Sequence, residues 1–171
     1  MIWAYLIGPR TQLGLTAAVI ACTIDQAVKL WLIYEFELGS RGLISLIPFV
    51  DLVLTWNTGI SYGWFKQDAA IGQWILLGFK VVAVSFLWVW LARSTTKLSA
   101  VALGLIIGGA VGNGIDRLLY GAVADFVLLN ITTQQWSFNW YVFNLADVAI
   151  VAGVAGILYE SVVGERAVKA P

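Results

Sequence analysis

The sequence predicts an all-α membrane protein, in which four transmembrane helices carry a small outer β-cradle in the first outer loop. Of its 171 residues, 60% are hydrophobic and only 12% are charged, whereas a soluble domain is about half apolar and a quarter charged. Four stretches reach the ~20 mostly apolar residues that a helix needs to cross a bilayer: 13–34, 71–92, 98–120 and 140–163. We therefore expect one integral membrane domain over residues 1–171.

The cations near the helix ends predict the orientation of this bundle. Most of them lie at one set of ends: Arg10, Arg93, Lys97, Arg166 and Lys169. Because cytoplasmic loops carry an excess of Lys and Arg, both termini and the 93–97 turn are expected in the cytoplasm. The loops 35–70 and 121–139 then face outward.

The first outer loop is long and contains a strand-like segment. Residues 49–56 read FVDLVLTW, rich in apolar and β-branched side chains, and they lie between Pro48 and a turn at 57–59. This pattern predicts a strand, with a second short strand around 60–65. We expect a small sheet within residues 36–68 on the outer membrane surface, where it could cradle a lipid-linked or peptide substrate.

Composition excludes several kinds of chemistry. The chain has no histidine and one cysteine, so His/Cys metal sites and His-dependent nucleophiles are not expected, and an internal disulfide is impossible. Its net charge is zero and it has no basic run, so no nucleic-acid partner is expected. The chemistry left is carboxylate chemistry, or none.

Cys22 permits two interpretations. The sequence VIAC at 19–22 follows Arg10 and an apolar run, which is typical of the lipobox of a lipoprotein precursor. The alternative is a small residue inside a spanning helix. Because the apolar pattern continues past Cys22 and three more spans follow, we favour the helix, which would itself act as the targeting signal.

Small and polar residues share one face of the third stretch. Gly104, Gly108 and Gly112 are spaced by four, which lets a neighbouring helix approach closely. Asp116 is the next member of this stripe. The third stretch therefore predicts a tight helix contact that ends in polar chemistry.

Polar side chains recur in the outward halves of three predicted spans. Ionisable groups within a membrane are costly unless paired or hydrated, so they indicate function. The set comprises Asp25, Asn113, Asp116, Arg117, Asn144 and Asp147, and Asp125 is expected in the loop after the third span. Asp25 and Lys29 have the i,i+4 spacing of an ion pair.

Two of these acids are candidates for sharing a proton. Two neighbouring carboxyl groups cannot both ionise at low cost, so one acts as an acid and the other as a base. Asp25 and Asp116 have cations nearby in sequence, but Asp125 and Asp147 have none within four residues. Lys80, in the middle of the second span, receives no role.

Four motifs together resemble the lipoprotein signal peptidases (signal peptidase II), a bacterial family of intramembrane aspartic peptidases. They are DQAVKLW at 25–31, WNTGISYG at 56–63, GNGIDRLLYGAVADF at 112–126 and FNLADVAI at 143–150. The likeness covers nearly the whole chain. It departs from the family pattern at 60–65, ISYGWF, where alanines and a phenylalanine are common, although Asn57 and Gly59 are retained.

The resemblance implies a role for each matching residue. Asp125 and Asp147 would be the catalytic dyad. Substrate binding would fall to Asn57, Asn113, Arg117 and Asn144, and structural support to Asp25, Lys29, Asp116 and Gly59. The substrate would be a diacylglyceryl-modified prolipoprotein, cut before the lipidated cysteine by a cofactor-independent enzyme. We expect a monomer that contacts membrane lipids, in the bacterial cytoplasmic (inner) membrane, with its site on the outer face.

Two other functions fit the same acids. In a small proton-coupled transporter, Asp125 and Asp147 would relay protons, although the nearly uncharged inner halves of the spans offer no continuous path. A non-catalytic lipopeptide binder would use the same cleft but would tolerate Asp→Asn substitutions at the dyad.

Overall fold

The computed structural model describes residues 6–59, 70–132 and 135–169. The helices are α1 (Thr11–Leu30, extended by a π-helical turn at Trp31–Glu35), α2 (Leu38–Arg41), α3 (Ala70–Arg93), α4 (Lys97–Tyr120) and α5 (Leu145–Lys169). The strands are β1 (Ile44–Ile47), β2 (Val50–Asn57), β3 (Val123–Thr132) and β4 (Ser137–Asn139).

The predicted fold class is confirmed. Four helices are long and apolar enough to cross a membrane, over Thr11–Glu35, Trp74–Arg93, Lys97–Tyr120 and Leu145–Val163. A small antiparallel sheet accompanies them. The second strand expected around 60–65 lies outside the described residues.

Helix α4 is the centre of the bundle, because α1, α3 and α5 all pack against it. Its glycines permit this close approach. A Cβ atom at Gly104 would collide with the carbonyl oxygen of Gly14, and one at Gly108 with that of Ala18. The predicted glycine stripe is therefore the contact surface for α1.

The sheet joins residues that are far apart in the sequence. Its four antiparallel strands follow the order β1-β2-β3-β4, and Thr55 of β2 lies opposite Asp125 of β3. The expectation that Asp125 lies in a loop was wrong. Residues 122–126 are all buried, so their sequence lacks the alternation of polar and apolar residues that marks a half-exposed strand. Their pairing partner also lies in a distant loop of the sequence, so no local pattern indicates the strand.

Helix α5 begins at Leu145, later than the position 140 expected from hydropathy. The preceding backbone is paired with β3 instead. Trp140 donates from its N–H to the carbonyl of Leu129, and Phe143 exchanges hydrogen bonds with Val127. Apolar composition alone does not reveal this pairing.

A buried ionic cluster connects α1 to α4. The Lys29 ammonium lies 2.8 Å from Asp25 Oδ2 and 2.8 Å from Asp116 Oδ2. All three side chains are at most 2% exposed. Gln26, which the sequence did not single out, donates to Asp116 Oδ1 at 2.8 Å and to the Gly112 carbonyl at 3.1 Å. These polar contacts determine how α1 is positioned along α4.

Gly108→Leu should destabilise the bundle, because its side chain would meet the Ala18 backbone. Overpacking of this kind costs about 1–3 kcal/mol, so the Tm in detergent should fall by several degrees. Gly78→Leu is the matched control, since Gly78 on α3 has no atom within 4 Å of an added Cβ. Equal loss of Tm in both variants would contradict the close packing.

Lys29→Met should be more damaging, because it leaves two buried carboxylates without their cation. Breaking a buried ion pair costs about 3–5 kcal/mol. Thermal unfolding should show a large loss of Tm, whereas Lys97→Met, at an exposed lysine, should leave Tm near that of the wild type. A wild-type Tm for Lys29→Met would disprove the structural role of this cluster.

Candidate active site

Asp125 and Asp147 line one cavity at the end of the bundle where the sheet meets the helices. The cavity has a volume of about 160 Å³. Its walls are formed by Asn57, Lys80, Asn113, Arg117, Val123, Asp125, Asp147 and Ile150. The sheet, α3, α4 and α5 therefore all contribute to it.

The ionic cluster holds the backbone immediately before each of the two aspartates. Asp116 Oδ2 accepts a hydrogen bond from the N–H of Ala124 at 3.1 Å, and Asp25 Oδ1 accepts one from Ala146 at 2.9 Å. The Ala146 N–H lies in the first turn of α5, where N–H groups lack partners within the helix. The positions of Asp125 and Asp147 thus depend on the same buried charges.

Asn144 and Asp147 form a reciprocal cap at the start of α5. The Asp147 N–H donates to Asn144 Oδ1 at 3.0 Å, and the Asn144 N–H donates to Asp147 Oδ2 at 3.2 Å. Each side chain satisfies a backbone donor of the other, as in a capping box. The cap orients the Asp147 carboxyl group towards the cavity.

Backbone and ammonium donors determine how the asparagine amides are oriented. Asn144 Oδ1 faces the Asp147 N–H, so its Nδ2 points to Asp125 Oδ1 at 2.6 Å and to Asn113 Oδ1 at 3.0 Å. Asn113 Oδ1 also accepts from Lys29 Nζ at 3.0 Å, so its Nδ2 donates to Asp147 Oδ1 at 2.9 Å. If either amide were flipped, its NH₂ group would face another N–H donor, so both orientations are fixed.

Asn57 completes this arrangement from β2. Its Oδ1 accepts from the Gly59 N–H at 3.0 Å, which directs its Nδ2 to Asp125 Oδ2 at 3.1 Å. Both oxygens of Asp125 therefore accept hydrogen bonds from amides. The carboxyl group is held by neutral donors, which orient it without forming an ion pair.

The environment of Asp125 favours its protonated form. Burial and the nearby charge of Asp147 raise the pKa of this carboxyl group to about 6, although the amide donors of Asn57 and Asn144 act in the opposite direction. Loss of hydration disfavours a carboxylate, and so does a second carboxylate close by. Asp125 is therefore suited to carry a proton near neutral pH.

Arg117 and Lys80 bring positive charge to the cavity. Arg117 is 8% exposed and donates from Nη2 to the carbonyl oxygen of Gly59. This contact ties the end of β2 to α4. Lys80 lines the same cavity from α3, a position that the sequence could not reveal because its neighbours lie on other helices.

An apolar groove of about 610 Å³ lies beside the dyad and shares Asp147 with the smaller cavity. Its lining consists of Leu129, Trp140, Tyr141, Phe143, Asp147, Val148, Val151, Ala152 and Ala155. The sequence analysis did not identify this groove, since its residues come from β3, the 140–143 segment and α5. Its size and composition suit an apolar chain.

The structure brings together the residues that the sequence singled out. The dyad, Asn57, Asn113 and Arg117 line the cavity, and Asn144 hydrogen-bonds to both aspartates. Asp25, Lys29 and Asp116 lie beneath it in the ionic cluster. Within the described ranges, no group of three or more His, Cys, Asp or Glu side chains is arranged to hold a metal ion.

Comparisons with known proteins identify the family of this chain. Residues 17–163 match the family model of signal peptidase (SPase) II. The chain is 58% identical over 160 residues to a lipoprotein signal peptidase of Rhodopseudomonas palustris strain TIE-1, covering 94% of this chain and 98% of that one. It is 57% identical over 158 residues to a lipoprotein signal peptidase of Nitrobacter hamburgensis, covering 92% and 96%.

The fold is similar to that of solved bacterial membrane enzymes. One structure, determined at 2.3 Å resolution, superposes with a TM-score of 0.75 at 24% identity, covering 92% of this chain and 91% of that one. A second, at 1.9 Å, gives a TM-score of 0.69 at 25% identity, covering 85% and 90%. With the family match over most of its length, this multi-pass membrane protein belongs to the signal peptidase II family.

Proposed function

We propose that this protein is an aspartic endopeptidase that removes the signal peptide from diacylglyceryl-modified prolipoproteins by cutting before the lipidated cysteine. The proposal rests on the placement of Asp125 and Asp147 on one cavity. The backbone N–H of the residue immediately before each aspartate donates to a buried carboxylate. Two acids that line one cavity can share a proton.

Hydrolysis would proceed by general acid–base catalysis on a water molecule. The ionised carboxylate removes a proton from water, whose oxygen attacks the scissile carbonyl carbon, while the protonated carboxyl group donates its proton to the carbonyl oxygen. The tetrahedral intermediate then collapses. The carboxyl group that took the proton from water passes it to the amide nitrogen, and the C–N bond breaks. The other carboxylate takes a proton from a hydroxyl group of the intermediate, so the dyad again holds one proton.

The surrounding polar side chains would position both the dyad and the peptide. Asn57, Asn113 and Asn144 hold the carboxyl groups through their Nδ2 atoms. Arg117, which reaches the Gly59 carbonyl, would orient the substrate backbone. Groups held in place before substrate binds need no rearrangement in the transition state.

The apolar groove supports a lipid-modified substrate. It lies next to Asp147 and is lined by aromatic and aliphatic side chains. Each methylene group of an acyl chain that leaves water contributes about 0.8 kcal/mol, so two chains would hold the substrate firmly at one depth. We propose that a monomer acts on these substrates among membrane lipids.

Charge at the helix ends supports an outward-facing site. Arg10, Arg93 and Lys97 lie at the end opposite the dyad, where Arg10 Nε donates to the Thr95 carbonyl at 3.5 Å. By the positive-inside rule this end is cytoplasmic. We therefore place both termini in the cytoplasm of a bacterial inner membrane and the cavity on its outer face.

Asp125→Asn and Asp147→Asn should each abolish cleavage of a diacylglyceryl-modified lipobox peptide, because each removes an acid or base from the dyad. A rate loss of at least about 10³-fold is expected, with the peptide still bound. Product analysis by mass spectrometry and a binding assay on detergent-purified protein would measure both. Asp51→Asn is the control, since Asp51 is buried on the same sheet and contacts Asn130.

Retention of cleavage in either dyad variant would contradict the aspartic mechanism. An inactive wild type whose dyad variants keep full affinity would instead identify a lipopeptide binder. Proton movement across proteoliposomes, lost in both variants, would favour the transporter.

The pH dependence of kcat/KM should be bell-shaped, because activity needs one protonated and one ionised carboxyl group. At low pH both are protonated and the base is lost. As pH rises through the pKa of about 6 for Asp125, the acid is lost, so the alkaline limb should begin within about one unit of pH 6. The limbs belong to the coupled pair; a monotonic curve from pH 4 to 9 would contradict proton sharing.

A further inference from the structure

Lys80 is a charged residue within a predicted membrane span that the proposed mechanism does not use. It lies on α3, whose span runs from Trp74 to Arg93, and is only partly exposed. Among the described residues, its Nζ atom forms no hydrogen bond or ion pair. An ammonium group at this depth is costly and indicates a function.

Lys80 lines the same cavity as Asp125 and Asp147. It extends into the cavity from α3, whereas Asp147 enters from α5 and Asp125 from β3. Helices α3 and α5 both pack on α4, so the cavity lies between them. A peptide that enters this cleft would have the dyad on one side and Lys80 on the other.

The charges around and beneath the cavity balance only when Lys80 is counted. Among the described residues, this region holds four carboxyl groups and three cations: Asp25, Asp116, Asp125 and Asp147, with Lys29, Lys80 and Arg117. One proton shared by the dyad leaves three carboxylates against three cations. Since an uncompensated charge in a low-dielectric site is strongly unfavourable, the balanced state is the singly protonated dyad.

Without Lys80, the same count of charges favours a second proton on the dyad. Two cations would face three carboxylates, and protonation of the remaining dyad carboxylate restores neutrality. A doubly protonated dyad has no base. Arg117 and Lys29 are already counted in this balance, so neither can also supply the charge that is lost with Lys80.

We propose that Lys80 is a positioning residue that supplies the counter-charge by which the dyad keeps one ionised carboxylate at neutral pH. It acts through Asp125 and Asp147 rather than on the peptide bond. This inference rests on the proposed aspartic mechanism and extends it to a residue of α3.

The test compares pH profiles of kcat/KM for the wild type, Lys80→Met and Lys80→Arg, with the same lipopeptide. In Lys80→Met the whole bell should move to higher pH by about one unit, so that kcat/KM on the acid limb falls about tenfold. Lys80→Arg keeps the charge and should keep the wild-type bell. Lys97→Met, at the exposed opposite end of the bundle, should also leave the bell in place.

A second measurement needs no substrate. If the folded Lys80→Met protein binds one more proton near neutral pH than the folded wild type, its stability must fall more steeply as pH rises. The Tm difference between this variant and the wild type should therefore widen from pH 5 to 7. Lys80→Gln should behave in the same way and serves if the Met variant does not fold.

The outcomes separate the two proposals. If the pH profile of kcat/KM keeps its position in Lys80→Met or Lys80→Gln, and kcat/KM falls equally at every pH, the counter-charge role is overturned. Lys80 would then serve packing or substrate contact. A bell that moves in Lys80→Arg would also overturn the counter-charge role. If the wild type does not cleave, the proposed function fails, and the widening or constancy of the Tm difference still decides the role of Lys80.

Discussion

The ammonium group of Lys29 between two buried carboxylates is the interaction on which the rest of the structure depends. While Lys29 pairs with both Asp25 and Asp116, the remaining lone pairs of these carboxylates can accept backbone hydrogen bonds. They take those of Ala146 and Ala124, each of which directly precedes an aspartate of the dyad. One buried charge centre thereby positions a helix start and a strand that are distant in sequence.

The asparagines then fix the orientation of the two carboxyl groups on this backbone. In each amide the oxygen accepts a hydrogen bond from a group that can only donate, either a backbone N–H or the Lys29 ammonium. The amide nitrogen must then face the dyad. Neutral donors hold a carboxyl group in place whether or not it is ionised, whereas a direct cation would keep it permanently ionised. An acid that must gain and lose a proton during each turnover requires neutral partners of this kind.

The membrane makes charge balance more demanding than it would be in a soluble enzyme. Lipid screens the charges on spanning helices far less than bulk water does, so the acids and cations around the cavity must compensate one another. The bundle meets this requirement in two layers, with the Lys29 cluster below and the dyad with Arg117 and Lys80 above. The glycines of α4 bring α1 close enough for the lower layer to form.

The amino-acid sequence by itself determined the membrane class, the four spans, the glycine contact surface and the polar residues of the site. These follow from composition and short-range spacing, which hydropathy and helical periodicity express directly. Asp125 and Asp147 differ from the other acids in having no cation within four residues in the chain.

Only the tertiary structure decided which groups meet. The strand around Asp125, the late start of α5, the role of Gln26 and the place of Lys80 in the cavity all depend on partners many residues away. Hydrogen bonds and Coulomb interactions act over a few ångströms in space, irrespective of separation along the chain. No local pattern in the sequence records them, and they become visible only when the helices and strands are packed together.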